Sequence, residues 1–242
     1  MTTAARGNGG SGALGSLYPF LYAGKTDLDA VLREVRQSTV DKTNEIIALR
    51  QTVLEKNRVL LAECATAMAD AFAAGGRLFA FGNGGSCTDA ADLAGLFLNP
   101  GSGHDPLPAF TLTGDIAVLT ALSNDIGFDV VFARPIAAFG RPGDIAVGLS
   151  TSGNSANLVR AFDEASRRGL LTVGLSGYDG GKMAELDSID YLFVVPSASV
   201  YRIPEAQTTI YHALWELTLE QLPHHSNGHN PARETEPRRL LE

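Results

Sequence analysis

Cysteine is almost absent: Cys64 and Cys87 are the only two in 242 residues. Two thiols in different predicted elements cannot build a disulfide framework, so a reduced, cytoplasmic setting is expected. No run of about 18 apolar residues occurs, and no membrane-spanning helix is expected. Met1 to Gly15 is rich in Gly, Ala, Ser and Thr and lacks the basic start and apolar block of a secretory leader. Positive charge is in deficit: 19 Lys and Arg against 27 Asp and Glu leave a net charge of −8. That argues against non-specific binding to nucleic acid or anionic membrane. There is no internal repeat at a period of about 20 to 50 residues.

What is there is a globular composition, 45% hydrophobic and 19% charged, long enough to bury a substantial core. The negative balance does not exclude an anionic small ligand, because backbone amides bind phosphate without net positive charge. Residues 1–16 read as a flexible lead and 17–222 as one domain with an N-terminal helical region. Residues 223–242 read as a flexible tail holding Pro223, Asn227-Gly228, Pro231 and Pro237.

The first part is helical by its spacing. Asp27 is placed to cap a helix carrying Leu28, Val31, Leu32 and Val35. A stretch with Ile46, Ile47, Val53 and Leu54 follows. Then Leu60, Cys64, Met68 and Phe72 repeat every four residues on one face, until Gly75-Gly76 stops the helix. Beyond it, short apolar runs alternate with helical stretches. Strands are expected at 77–81, 108–112, 145–149, 171–175 and 191–195. Helices are expected at 88–98, 115–122, 155–168, 182–186 and 205–222. Continuous apolar strands alternating with helices predict an α/β fold whose parallel sheet is buried on both faces. Ligands then bind at the carboxyl ends of the strands.

Two strand-to-helix loops carry the chemistry. Phe81-Gly82-Asn83-Gly84-Gly85-Ser86 allows close backbone approach and ends at a helix N-terminus, where free N–H groups and the dipole favour an anion. It is not the dinucleotide fingerprint, since Cys87 stands where the third glycine belongs, and no Lys-Ser/Thr pair makes it a P-loop. The second loop, Ser150-Thr151-Ser152-Gly153-Asn154-Ser155, has four hydroxyls where one N-cap would suffice. Together the loops suit a ligand with one phosphate and several hydroxyls, a sugar phosphate. They offer nothing obvious to a nucleobase.

FGNGGS, SNDIGF (123–128), GRPGD (140–144), GLSTSGNSANLVRA (148–161) and GLSGYDGGKMAEL (174–186) resemble the sugar isomerase (SIS) domain, and within it the sedoheptulose-7-phosphate (phosphoheptose) isomerases. The likeness spans roughly residues 40–222. It implies a three-layer α-β-α sandwich on a five-stranded parallel sheet with N-terminal helices added. It also implies a homotetramer with active sites built from more than one chain. Carried over, phosphate contacts fall on Ser86, Ser150, Thr151, Ser152 and Ser155, and sugar contacts on Asn83 and Asp115. Asp115 is also placed to cap the following helix.

The likeness breaks at the catalytic positions. The family's isomerases use a glutamate ten residues after the loop serine and a histidine on the last helix; here these are Leu96 and His212. Zinc-containing members add a histidine and a glutamine whose positions hold Asp92 and Pro204. A sugar-contacting aspartate becomes Tyr201. No metal or other cofactor is therefore expected. Proton transfer between adjacent carbons needs an acid and a base, and Asp92 and Glu205 are the carboxylates available beside His212. Asp92 shares a helix face with Leu96, and Glu205 doubles as a favourable acid in a first helical turn.

Two readings stay open. One is an aldose–ketose isomerase using His212 with Asp92 or Glu205. The other is a non-catalytic phosphosugar sensor or oligomeric adaptor for an unidentified protein partner. Cys64 and Cys87 read as packing residues, as do Tyr211 and Trp215. His224, His225 and His229 read as tail residues rather than metal ligands.

Overall fold

The structure is a computed structural model that describes residues 28–223. The Asp27 cap, the 1–16 lead, His224, His225, His229 and all of the tail after Pro223 lie outside the described residues. The chain divides into two units between Glu45 and Ile46. The first contributes only helix here, with Val31, Leu32 and Val35 exposed.

The helical segments read at the start are one helix, α1 (Leu28–Ala73). No Gly or Pro interrupts these 46 residues, so nothing in the backbone chemistry ends a turn early. The stop is a Schellman motif. Gly76 N–H donates to Ala71 O and Gly75 N–H to Phe72 O, both at 2.9 Å, with Gly75 at φ +86°. A Cβ on Gly76 would stand 2.2 Å from the Gly143 carbonyl, so glycine is also required by packing.

Five strands follow: β1 (Leu78–Gly82), β2 (Ala109–Thr111), β3 (Ile145–Leu149), β4 (Leu171–Gly177) and β5 (Tyr191–Val195). They pair in the order β2-β1-β3-β4-β5, all parallel. The connecting helices are α2 (Gly85–Leu98), α3 (Ile116–Asp125), α4 (Ala133–Phe139), α5 (Ala156–Arg167) and α6 (Arg202–Gln221). Short 3-10 turns lie at Phe128–Val130 and Gly181–Glu185. One face of the sheet packs on Cys64, Met68, Phe72, Leu93, Phe97, Tyr211 and Leu214 from α1, α2 and α6. The other packs Phe81 against Phe132 and Phe162, with Ile136, Leu158 and Ala161 around them. Two helical layers around one sheet give the expected α-β-α sandwich. Cys64 is fully buried, and that burial pushes its thiol far above the ordinary cysteine range.

The strand order places a topological switch between β1 and β3: the chain leaves β1 to form β2 on one side and returns to form β3 on the other. In sheets of this order the crevice at that point is where ligands bind. Both Gly/Ser loops leave the sheet there.

Candidate active site

The first loop runs from β1 into α2. Gly84, at φ +55°, is the N-cap and makes no side-chain capping bond; Ser86 N–H donates to Asn83 O and Cys87 N–H to Gly84 O, both at 3.1 Å. A Cβ on Gly82 would meet Ser86 O at 2.6 Å, which is why the turn can close so tightly. Ser86 is buried beneath it.

In the second loop, Ser150 Oγ accepts from Gly153 N–H at 3.0 Å and Ser152 Oγ accepts from Asn154 N–H at 3.3 Å. Acceptance leaves each hydroxyl proton free to donate to a phosphate oxygen. Ser155 is the N-cap of α5 yet makes no side-chain capping bond. Thr151, half-buried, stands between them. The loop is locked to the turn after β4: Met183 N–H donates to Gly153 O and Lys182 N–H to Asn154 Oδ1, each at 3.0 Å. Tyr178, in that turn, has φ +56°. It lines a cavity of about 800 Å³ with Ser152, Asn154 and Asp179.

The two loops are tied to each other. Asn83 and Asn157 exchange a pair of amide hydrogen bonds, both 2.9 Å. Asn83 thus serves loop geometry through its amide. Asn157, not singled out from sequence, is its buried partner. Gln207, fully buried on α6, donates to Ser150 O at 2.8 Å.

Six residues beyond Ser86, about 9 Å along α2 at about 1.5 Å per residue, lies Asp92. Its Oδ2 accepts from Tyr211 Oη at 2.7 Å and stands 3.7 Å from His212 Nε2. The carboxylate expected near His212 is therefore present. Tyr211 stacks on His212 with ring centroids 5.1 Å apart, and Trp215 meets His212 edge-on. Burial, then the hydrogen bond to Asp92, pushes the Tyr211 phenol well above its ordinary value, so it stays a donor. Asp89, between Ser86 and Asp92, is pushed up by burial and by the like charge of Asp92.

Glu205 is elsewhere. Its carboxylate is paired with Arg202, one turn earlier on α6, and it lies seven residues, or about 10 Å along the helix axis, from His212. The structure shows it in a first-turn ion pair. Asp115 caps α3, accepting from Val118 N–H at 3.0 Å. It edges a separate pocket lined by Arg77, Phe79, Phe110 and Phe139, to which neither serine loop contributes. Cys87 Sγ donates to Thr113 Oγ1 at 3.0 Å, a packing contact between α2 and the loop after β2.

The zinc of some family members does not fit these residues. Leu96 is half-buried against the core, Pro204 has no donor, Tyr201 is exposed, and Asp92 Oδ2 is engaged by Tyr211. Among the described residues no group of three or more His, Cys, Asp or Glu is arranged to hold a metal ion.

The SIS domain model matches residues 43–177. The phosphoheptose isomerase of Aquifex aeolicus (strain VF5) is 41% identical over 199 residues, covering 81% of this chain and 97% of that protein. That of Thermodesulfovibrio yellowstonii is 39% identical over 179 residues, 74% and 88% of the two. Among solved structures, phosphoheptose isomerase GmhA from Neisseria gonorrhoeae is similar with a TM-score of 0.71 at 34% identity, covering 77% of this chain and 99% of that one. No described helix is long and apolar enough to cross a membrane.

Proposed function

Since the chain belongs to the SIS-domain family, we propose that it is a phosphosugar isomerase that interconverts the aldose and ketose forms of a sugar phosphate, the seven-carbon class of its relatives. The observation that carries this reading is the 3.7 Å approach of Asp92 Oδ2 to His212 Nε2. It supplies a carboxylate at the catalytic histidine although Leu96 stands at the family's glutamate position.

The phosphate is held at the switch point by hydroxyls of Ser86, Ser150, Thr151, Ser152 and Ser155 and by the positive N-terminal ends of α2 and α5. The carbonyl end of the sugar then extends along α2 toward Asp92 and His212. His212 removes the proton from the carbon next to the carbonyl. An enediol forms, and the same imidazole returns the proton to the neighbouring carbon. The hydroxyl proton of one oxygen passes to the other as the carbonyl moves. Asp92 orients the imidazole and balances its charge when it carries the proton. Glu205 keeps its pair with Arg202 and takes no part, and Asp115 serves as a helix cap. The second reading, a phosphosugar sensor or adaptor without catalysis, draws support from one observation: Leu96 packs into the core where a glutamate would carry a proton.

The experiment is proton exchange in D₂O with sedoheptulose 7-phosphate and shorter sugar phosphates, followed by NMR. Deuterium uptake at C1 or C2 that disappears in His212→Ala is the expected result. Ser152→Ala should weaken phosphosugar binding in either reading. Ligand line broadening without uptake in the wild type selects the non-catalytic reading.

A further inference from the structure

We propose that Tyr211 is a positioning residue that holds the Asp92 carboxylate against His212, with α6 as the common frame for both ends of the site. The inference deepens the isomerase reading and rests on it for its kinetic arm.

Asp92 alone is poorly restrained. Its side chain is 54% exposed, on a helix surface where a short carboxylate has several rotamers open to water. Tyr211 is 1% exposed and has its ring fixed in the core. Its Oη donates at 2.7 Å to Oδ2, the same oxygen that faces His212. The bond selects the rotamer that points at the imidazole, and the Tyr211 ring lies along the imidazole as well. Tyr211 therefore contacts both members of the pair while being too buried to touch substrate. It acts through Asp92.

The same helix face sets the other end of the site. Gln207 is one turn earlier, at i−4 from Tyr211, and holds the Ser150 carbonyl at 2.8 Å. Two buried polar side chains on adjacent turns thus register the phosphate loop and the proton carrier to one rigid element. Pre-organised geometry of this kind acts on the chemical step rather than on ligand capture.

The test is Tyr211→Phe, which keeps the ring and deletes the hydroxyl, compared with Asp92→Asn and with the double variant. In Tyr211→Phe, kcat should fall at least about tenfold, as for loss of one hydrogen bond to a charged group, with KM within about twofold. In the Asp92→Asn background the Tyr211→Phe change should have no further effect on kcat, because its route is gone. A turnover-independent readout is the ¹⁵N imidazole spectrum of His212. Its shifts in Tyr211→Phe should move toward those of Asp92→Asn. Unchanged imidazole shifts, or an equal loss of kcat in both backgrounds, overturn the proposal. If the wild type does not turn over any sugar phosphate, the isomerase reading fails, and the imidazole shifts still decide the role of Tyr211.

Discussion

Gly153 shows how much of this site depends on a single missing carbon. It has φ +67°, and a Cβ there would stand 1.9 Å from the Gly180 carbonyl oxygen. That distance is a backbone-to-backbone clash, so no side-chain rearrangement relieves it. Gly153→Ala should cost about 1–3 kcal/mol from the left-handed backbone alone. It should also push the Ser150–Ser155 loop off the turn after β4. The expected outcome is a Tm lowered by several degrees together with weaker phosphosugar binding, read by thermal denaturation and by ³¹P line broadening of the bound ligand. A variant with wild-type Tm and affinity would show that the loop does not need this interlock.

At the scale of elements, the sheet is stapled at the end opposite the site. Asp144, buried at the start of β3, accepts from Arg77 N–H, Nε and Nη2 and from Arg141 N–H. Burial by itself would raise this carboxyl. The hydrogen bonds from Arg77 and the two N–H groups outweigh it and hold the group below its ordinary value of 3.8. A carboxyl with a lowered folded-state pKa contributes its full stability above 3.8 and loses it as pH falls through the folded value. Asp144→Asn should therefore destabilise by about 1.5–3 kcal/mol at neutral pH, as for loss of hydrogen bonds to a charged group. The gap to wild type should begin to narrow below about pH 4 and go on narrowing toward the folded-state pKa. Urea melts from pH 7 to pH 3 measure it, and a gap independent of pH would rule out this role for the charge.

Elements were legible in the sequence where one rhythm dominated. β3 and β5 are continuous apolar runs between turn residues and occupy the expected positions. The Cys64–Met68–Phe72 stripe is buried as its spacing requires. Helix α4 went unread because Ala133–Phe139 is short and carries Pro135. Of the candidate site, the sequence displays two loops and two helix positions, since each loop is local in sequence. The Asn83–Asn157 and Tyr211–Asp92 bonds were not. They join residues 74 and 119 positions apart, and no periodicity encodes a partner that distant. The sign available for Gln207 and Tyr211 was polar groups four apart on the apolar face of a helix.

At the scale of the whole molecule, the candidate proton carriers are too open for the chemistry asked of them. His212 and Asp92 are 40% and 54% exposed in the single chain, and a site that handles an enediol gains from excluding water. On α1, Ile47, Leu54 and Val59 are exposed apolar side chains. Leu54 borders a groove of about 350 Å³ whose other walls include Val53, Leu61, Ile210 and Ala213. An apolar groove of this kind on a chain of net charge −8 favours a neutral, apolar partner surface, which a second copy of the same helix provides. If the chain assembles as the family likeness implies, the groove is a candidate contact between copies and the exposure of the His212–Asp92 pair would be set by that assembly. Leu54→Asp combined with Val59→Asp should shift the assembly to smaller species in sedimentation velocity. Each change lies on an exposed helix surface, where substitutions usually alter a monomer's stability by no more than about 0.5 kcal/mol. A fall in Tm beyond that would track lost assembly and depend on protein concentration. Activity should fall with the assembly and recover in part at high concentration. A wild-type chain that sediments as a monomer with full isomerase activity would mean that the site is complete within one subunit, and that the exposure of His212 and Asp92 is the working state.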